Sequence, residues 1–267
     1  MPGRSDDTYL FIDGRYLRNR LTDAMQVFQN DGDISFRRIM DEARAKRAFY
    51  YDCIDDEQKQ GESEEVFNNR IAAQQSEFEK IQKLRGYHVR LGSIKGKAKG
   101  KDKTRRQKEV DVLLAVDMLT HGYDGNMESA VLIAGDLDFR PVVEALVRRG
   151  VFVEVWYDPK SIAAELPGAA DFGRRLTLRE LYGWNSGLYQ NEHTLPHETP
   201  AVAVNVHGIV RAGRLNDRQV LLFKELNDPG FVLQIDTPQG LHTYRHPHQV
   251  VLERYSQAVY GSIDWEK

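Results

Sequence analysis

A chain of 267 residues is long enough for two domains, and its 41% hydrophobic content supplies a core. The 37 basic and 40 acidic residues nearly cancel, to a net charge of -3, so the total charge indicates no polyanionic partner and only its placement can. A single cysteine, Cys53, excludes an intramolecular disulfide, and neither a secretion signal nor an apolar run near the roughly 18 residues of a membrane span is present, so a cytoplasmic protein without membrane attachment is expected.

Residues 8–13 (Thr-Tyr-Leu-Phe-Ile-Asp) form an apolar run that predicts a strand, closed by Asp13 and Gly14. Residues 15–29 place Tyr16, Leu17, Leu21, Met25 and Phe28 at helical spacing, and residues 33–45 predict a second, shorter helix. The aromatic run 48–54 predicts a strand. Ser63 is positioned to cap a long helix that stops before Gly86, after which residues 87–91 alternate as a strand does.

Residues 95–108 have the most unusual composition in the chain: eight basic residues, one acid and no large apolar side chain. They predict a flexible basic loop carrying Lys95, Lys97, Lys99, Lys101, Lys103, Arg105, Arg106 and Lys108, which serves a polyanion or is simply a solvated loop. Gly96 and Gly100 lack the spacing of a Walker phosphate loop. Residues 109–119 are apolar nearly all round and predict a buried helix with Asp111 in its first turn. Asp117, six positions on, falls about 120° around the axis from Asp111 and is assigned a structural role.

Residues 131–139 (Val-Leu-Ile-Ala-Gly-Asp-Leu-Asp-Phe) predict a buried strand that ends at Gly135, and residues 141–150 a helix with Pro141 near its start and Gly150 at its end. Asp136 and Asp138 then lie on a strand-to-helix turn, either as a helix cap or at the strand edge where ligands bind. Residues 151–157 read as another strand, residues 161–166 as little more than one helical turn, and residues 176–182 close the unit. Alternating strands and helices over residues 1–183 predict an α/β domain, a mostly parallel sheet with helices on both faces. Residues 184–200, rich in Asn, Ser, Gly, His and Pro, suggest a linker. Runs at 201–210, 219–224, 231–235 and 250–252 suggest a small β-rich accessory domain over residues 201–267.

If the strands ending at Asp13 and Ala134 are neighbours where strand order reverses, Asp13, Asp136 and Asp138 converge on one crevice, with Asp111 entering from the helix between them. Two such charges about 4 Å apart repel by about 4 kcal/mol at an effective dielectric of 20, so the cluster needs protons or a cation. Oxygen ligands alone favour a hard ion, Mg2+ or Mn2+, suited to phosphodiester hydrolysis. The basic segment leaves the strand at 87–91 on that same carboxyl edge, where lysines would neutralise backbone phosphates. No nucleophile elbow, Cys-x-x-Cys or dinucleotide fingerprint competes, and Pro247 breaks the grouping of His242, His246 and His248.

Four stretches, Phe-Ile-Asp-Gly (11–14), Gln-Lys-Glu-Val-Asp-Val-Leu-Leu-Ala-Val-Asp-Met (107–118), Ala-Gly-Asp-Leu-Asp-Phe (134–139) and Val-Val-Glu-Ala-Leu (142–146), resemble the NYN domain, a branch of the PIN-like nucleases, over about residues 8–182. The resemblance implies a PIN-like sheet, metal-dependent cleavage of RNA, and metal-site and catalytic roles for Asp13, Asp111, Asp136 and Asp138. It also implies a further acid at Asp171, which reads equally as a turn residue. Family members usually follow the first Asp-Gly with one variable residue and an asparagine, whereas this chain has Arg15 and Tyr16, so a polar contact at the metal site or to the substrate is either lost or replaced by Tyr16 and Arg15. The expected function is a metal-dependent ribonuclease acting on RNA, with single-stranded DNA as a second substrate and the C-terminal domain serving RNA, a homo-oligomer or a protein partner. The alternatives are a non-catalytic RNA-binding regulator and a protein-interaction scaffold.

Overall fold

A computed structural model describes residues 7–92, 103–160, 165–225 and 229–266. In chain order the elements are β1 (Thr8–Asp13), α1 (Gly14–Met25), α2 (Phe36–Glu42), β2 (Arg47–Asp52), α3 (Glu64–Gln82), β3 (Tyr87–Leu91), α4 (Lys103–Tyr123), β4 (Ser129–Ile133), α5 (Arg140–Arg149), β5 (Phe152–Tyr157), α6 (Glu165–Gly168), β6 (Phe172–Arg175) and α7 (Leu178–Gly183). They continue as α8 (Gly187–Glu192), β7 (His197–Thr199), β8 (Ile209–Leu215), β9 (Arg218–Lys224), β10 (Phe231–Thr237), β11 (Gly240–His246), α9 (Gln249–Tyr260) and β12 (Asp264–Trp265). The described residues divide into two compact units, one of residues 1–20 and 35–177 and one of residues 21–34 and 178–267.

The first unit is an α/β layer structure around a parallel sheet ordered β3-β2-β1-β4-β5-β6. The chain lays down β1, steps outward to β2 and β3, and returns through α4 to place β4 on the other flank of β1. Strand order therefore reverses between β1 and β4, which leaves a crevice at their carboxyl ends. Burial on both sheet faces explains why β1 and β4 read as continuous apolar runs rather than alternating ones. On one face Phe11, Tyr51, Leu132 and Val155 pack with Val110, Leu114 and Met118 of α4 and with Val142, Val143 and Leu146 of α5. On the other face the Tyr50 ring meets Phe36 of α2 and Phe78 of α3.

Local signals set the helix ends. The Ser63 side chain accepts the Val66 N–H and so caps α3 as expected. Gly150 closes α5 at φ 87°, a left-handed conformation that glycine takes without penalty. Helix α4 departs from expectation in two ways. It begins at Lys103, so Lys103, Arg105, Arg106 and Lys108 belong to its first turns rather than to a loop, and Asp111 sits in its third turn. Lys, Arg and Gln are good helix formers, and that propensity extends the helix past the apolar segment. Nor is it buried all round: Val112 and Val116 are 61% and 51% exposed, while Val110, Leu114 and Met118, four residues apart, face the sheet.

In the second unit the described strands form an antiparallel sheet ordered β12-β8-β9-β10-β11-β7. Its core gathers Val27, Leu215, Val220, Leu222, Leu233, Ile235, Tyr244, Leu252 and Tyr255. The β8–β9 hairpin turns through Asn216 and Asp217, both at positive φ (48° and 65°), as a two-residue turn matched to strand twist requires. Residues 184–200 carry α8 and β7. Two of the β-like runs are not strands as read: within 201–210 only Ile209 and Val210 enter β8, and 250–252 opens α9. There Leu252, Tyr255 and Ser256 are buried at i, i+3, i+4 spacing, and this helical period outweighs the β-branched pair Val250-Val251.

Candidate active site

The carboxyl edge of the parallel sheet is lined with aspartates because several strands end in one. Asp13 ends β1, Asp52 ends β2, Asp136 follows β4 and Asp158 follows β5. Asp13 passes directly into α1, where its Oδ1 accepts the Tyr16 N–H at 3.0 Å. Only 7% of Asp13 is exposed. Burial pushes its carboxyl up to about 7, the Tyr16 N–H opposes that rise, and the negative charges of Asp111, Asp52 and Asp136 add to it. The largest influences on Asp13 are its burial, the Tyr16 N–H and these three carboxylates.

The structure thus brings Asp13, Asp111 and Asp136 into one electrostatic neighbourhood. Asp136 is exposed, and its Oδ1 accepts the Asp138 N–H at 2.9 Å, capping the 3-10 turn Leu137–Phe139. The capping reading of Asp136 is therefore realised, alongside its place in the cluster. Asp138 lies exposed on that same turn, and the carboxylates with the largest effect on Asp13 are Asp111, Asp52 and Asp136. Asp117 is engaged elsewhere, accepting the Tyr51 hydroxyl at 2.9 Å and lying 3.4 Å from Arg90 Nε. Asp171 accepts the Val153 N–H at 2.8 Å and acts as a turn residue at the β5–β6 edge.

Asp52 was not singled out in the sequence, although Phe-Tyr-Tyr-Asp repeats the pattern of an apolar strand closed by aspartate. It is 1% exposed and held by Arg18 Nη2 at 2.8 Å, by the Cys53 N–H at 2.7 Å and by the Tyr50 hydroxyl at 3.2 Å. Its burial prevails over these partners, and its carboxyl is pushed up to about 6. Gly14 is required beside it, since a Cβ there would stand 2.6 Å from Asp52 Oδ2 and 2.5 Å from the Tyr50 ring.

Of the basic residues expected to meet nucleic acid, Arg15 is exposed on the first turn of α1 and Tyr16 is half-buried. Lys103, Arg105, Arg106 and Lys108 lie on the opening turns of α4, the helix that brings Asp111 to the cluster. Lys95, Lys97, Lys99 and Lys101 lie outside the described residues.

The donor set fits a hard divalent cation. A buried carboxylate among like charges favours a proton or a cation, and all the donors are oxygen. Among the described residues no three metal-binding side chains stand together as a ready-made cage. Mg2+ suits such an open arrangement, because it keeps several waters and uses one or two carboxylates together with substrate phosphates. Among the described residues no helix is long and apolar enough to cross a membrane.

The chain resembles a protein of unknown function from Vibrio parahaemolyticus at 17% identity and a TM-score of 0.49, over 66% of this chain and 96% of that one. A chitinase from Chromobacterium violaceum aligns at 10% identity and a TM-score of 0.25, over 96% and 92% of the two chains. At these scores neither bears on activity. No curated protein matches the chain. Residues 7–174 match the NYN domain, and with well over half its length covered the chain belongs to that family of PIN-like nucleases.

Proposed function

We propose that this protein hydrolyses RNA phosphodiester bonds in a metal-dependent reaction at the carboxyl edge of its parallel sheet. The observation that carries the reading is Asp13: a buried acid at the point of strand reversal, with the like charges of Asp111, Asp52 and Asp136 acting on it. Asp13, Asp111 and Asp136 would hold Mg2+ or Mn2+, with Asp138 a weaker candidate on its exposed turn. When bound, such an ion lowers the pKa of a water toward neutrality and offsets negative charge on the scissile phosphate.

The chain's own residues do the rest. Asp13 presents a carboxylate whose direction is fixed by the Tyr16 N–H, so little reorganisation remains when it ionises. Arg18 pairs with Asp52 and Arg20 with Asp158, and Arg15, exposed on the first turn of α1, would add positive charge beside a passing phosphate. Lys103, Arg105, Arg106 and Lys108 add sequence-independent attraction for the backbone, which positions a strand without reading its bases. Family membership supports a nuclease acting on RNA.

One observation favours a second reading, RNA binding without cleavage: Asp136 is exposed and already occupied as a cap, and no ready-made metal cage is present among the described residues. Incubating the purified protein with labelled RNA and single-stranded DNA, in Mn2+, Mg2+ or chelator, separates the two. Metal-dependent products that disappear in chelator support the nuclease. Retained binding with no cleavage under any metal supports the regulator.

A further inference from the structure

The ladder between β1 and β4 ends at the pair Ile12–Ile133, before either strand reaches its acid. Backbone pairing between these strands therefore does not set the spacing from Asp13 to Asp136, and another contact must. Tyr16 makes it. Its N–H donates to Asp13 Oδ1 at 3.0 Å and its hydroxyl accepts the Asp158 N–H at 2.7 Å. Its ring lies so close to Gly135 that a Cβ built there would come within 2.2 Å of the ring carbon Cε2. One residue thus meets the ends of three adjacent strands, its backbone N–H at β1 and its side chain at β4 and β5, where the ring abuts the residue immediately before Asp136. The far anchor is itself fixed: Arg20 Nη1 lies 2.9 Å from Asp158 Oδ2, and its guanidinium stands 5.9 Å from the Tyr16 ring centroid.

We propose that Tyr16 is a positioning residue that sets the separation between Asp13 and Asp136, and with it the geometry available to a divalent ion. This rests on the metal-site reading above. A ring with few rotatable bonds, packed against glycine, is a stiff spacer, and the hydroxyl bond to Asp158 adds to its anchoring without supplying its bulk. Gly135 is its complement, because any side chain there would displace the ring. Tyr16 is argued to act through the two acids, not on the substrate.

The test is a double-mutant cycle on the full chain with Gly135→Ala and Tyr16→Ala, together with Tyr16→Phe. Mn2+ affinity is read from the electron paramagnetic resonance signal of free Mn2+, alongside kcat and KM on RNA. Each alanine variant alone should weaken Mn2+ binding about tenfold or more, since displacements near 1 Å are costly at such sites. The double variant should be no worse than the poorer single one, because the added methyl has lost the ring it struck. Tyr16→Phe keeps the ring and should stay within about threefold of the unaltered affinity, whereas a purely structural loss would track melting temperature instead. If Tyr16→Ala does not fold, Tyr16→Leu takes its place in the cycle. Additive losses, or unchanged Mn2+ affinity in a folded ring-less variant, overturn the spacer role while leaving the metal site standing. Failure of the unaltered protein to bind Mn2+ overturns the metal site and the spacer together.

Discussion

A buried carboxylate among other carboxylates destabilises a fold until a proton or a cation neutralises it. Asp13 titrates near 7 in the folded protein and near 4 in an unfolded chain, so between those values the folded state keeps a proton that the unfolded state has released. Stability of the metal-free protein should therefore fall as pH rises from about 4 to about 7. Asp13→Asn removes that fall and still accepts the Tyr16 N–H, so in chelator at pH 8 it should be more stable than the unaltered protein, by on the order of a few kcal/mol. The two should converge near pH 4. Urea unfolding at both pH values checks this; Asp52, raised in the same direction and coupled to Asp13, leaves its own, smaller fall with pH in the variant. An Asp13→Asn variant with the same pH dependence would show that Asp13 carries no excess charge. The same carboxylate predicts that Mn2+ competes with a proton, so apparent Mn2+ affinity should weaken as pH drops below about 7, by up to about tenfold per unit. A flat affinity between pH 5 and 8 would remove Asp13 from the metal site. Asp13 and Asp136 were legible in the sequence because an apolar run closed by aspartate is a local signal. Asp52 carries the same local signal in Phe-Tyr-Tyr-Asp, but its place beside Asp13 follows from β2 pairing with β1, a long-range contact that no local pattern states. Asp138 lies exposed on the same 3-10 turn as the exposed Asp136, which caps that turn.

At the scale of elements, α4 does the most to join charge to chemistry, since its opening turns are basic and its third turn carries Asp111. Replacing Lys103, Arg105, Arg106 and Lys108 together by alanine keeps helix propensity high, so the helix should persist while the phosphate contacts are lost. Affinity for single-stranded RNA should fall for all sequences alike, and the slope of log affinity against log salt should shrink by up to about 3. An unchanged slope would mean that these turns never meet the backbone. The start of α4 was misread because positive charge suggested solvated loop, while the backbone followed the propensity of Lys, Arg and Gln. The parallel core was legible almost strand by strand, since burial on both faces leaves unbroken apolar runs. The antiparallel sheet was legible only in part. Strand β11, with its three histidine and tyrosine side chains in Gly-Leu-His-Thr-Tyr-Arg-His, lacks a clean apolar alternation, and β7 and β12 are only three and two residues long.

For the whole molecule the sequence suggests a cut at residue 183, whereas contacts join residues 21–34 to residues 178–267. Val27, fully buried, packs with Leu215, Val220 and Leu233, and Asn185, also fully buried, accepts the Asp33 N–H at 2.8 Å. Composition reveals where a chain becomes polar but not that an early helical segment packs with strands about 190 residues later. A fragment ending at residue 183 would leave those apolar groups in water, so it should unfold at lower urea than the full chain or with a broader transition. A fragment as stable and as cooperative as the full chain would return the boundary to 183. The central claim is that a carboxylate cluster on the parallel sheet cuts RNA with a metal ion, and Asp136→Asn tests it most directly. Asparagine can still cap the 3-10 turn, so the fold should hold, yet it is a much poorer ligand for a hard ion. The decisive measurement is single-turnover cleavage of labelled single-stranded RNA in Mn2+ by the unaltered and Asp136→Asn proteins, with binding measured in chelator. The account predicts cleavage by the unaltered protein, a rate lower by about 100-fold or more in the variant, and undiminished binding by both. Equal cleavage by a contaminant-free Asp136→Asn protein would contradict it.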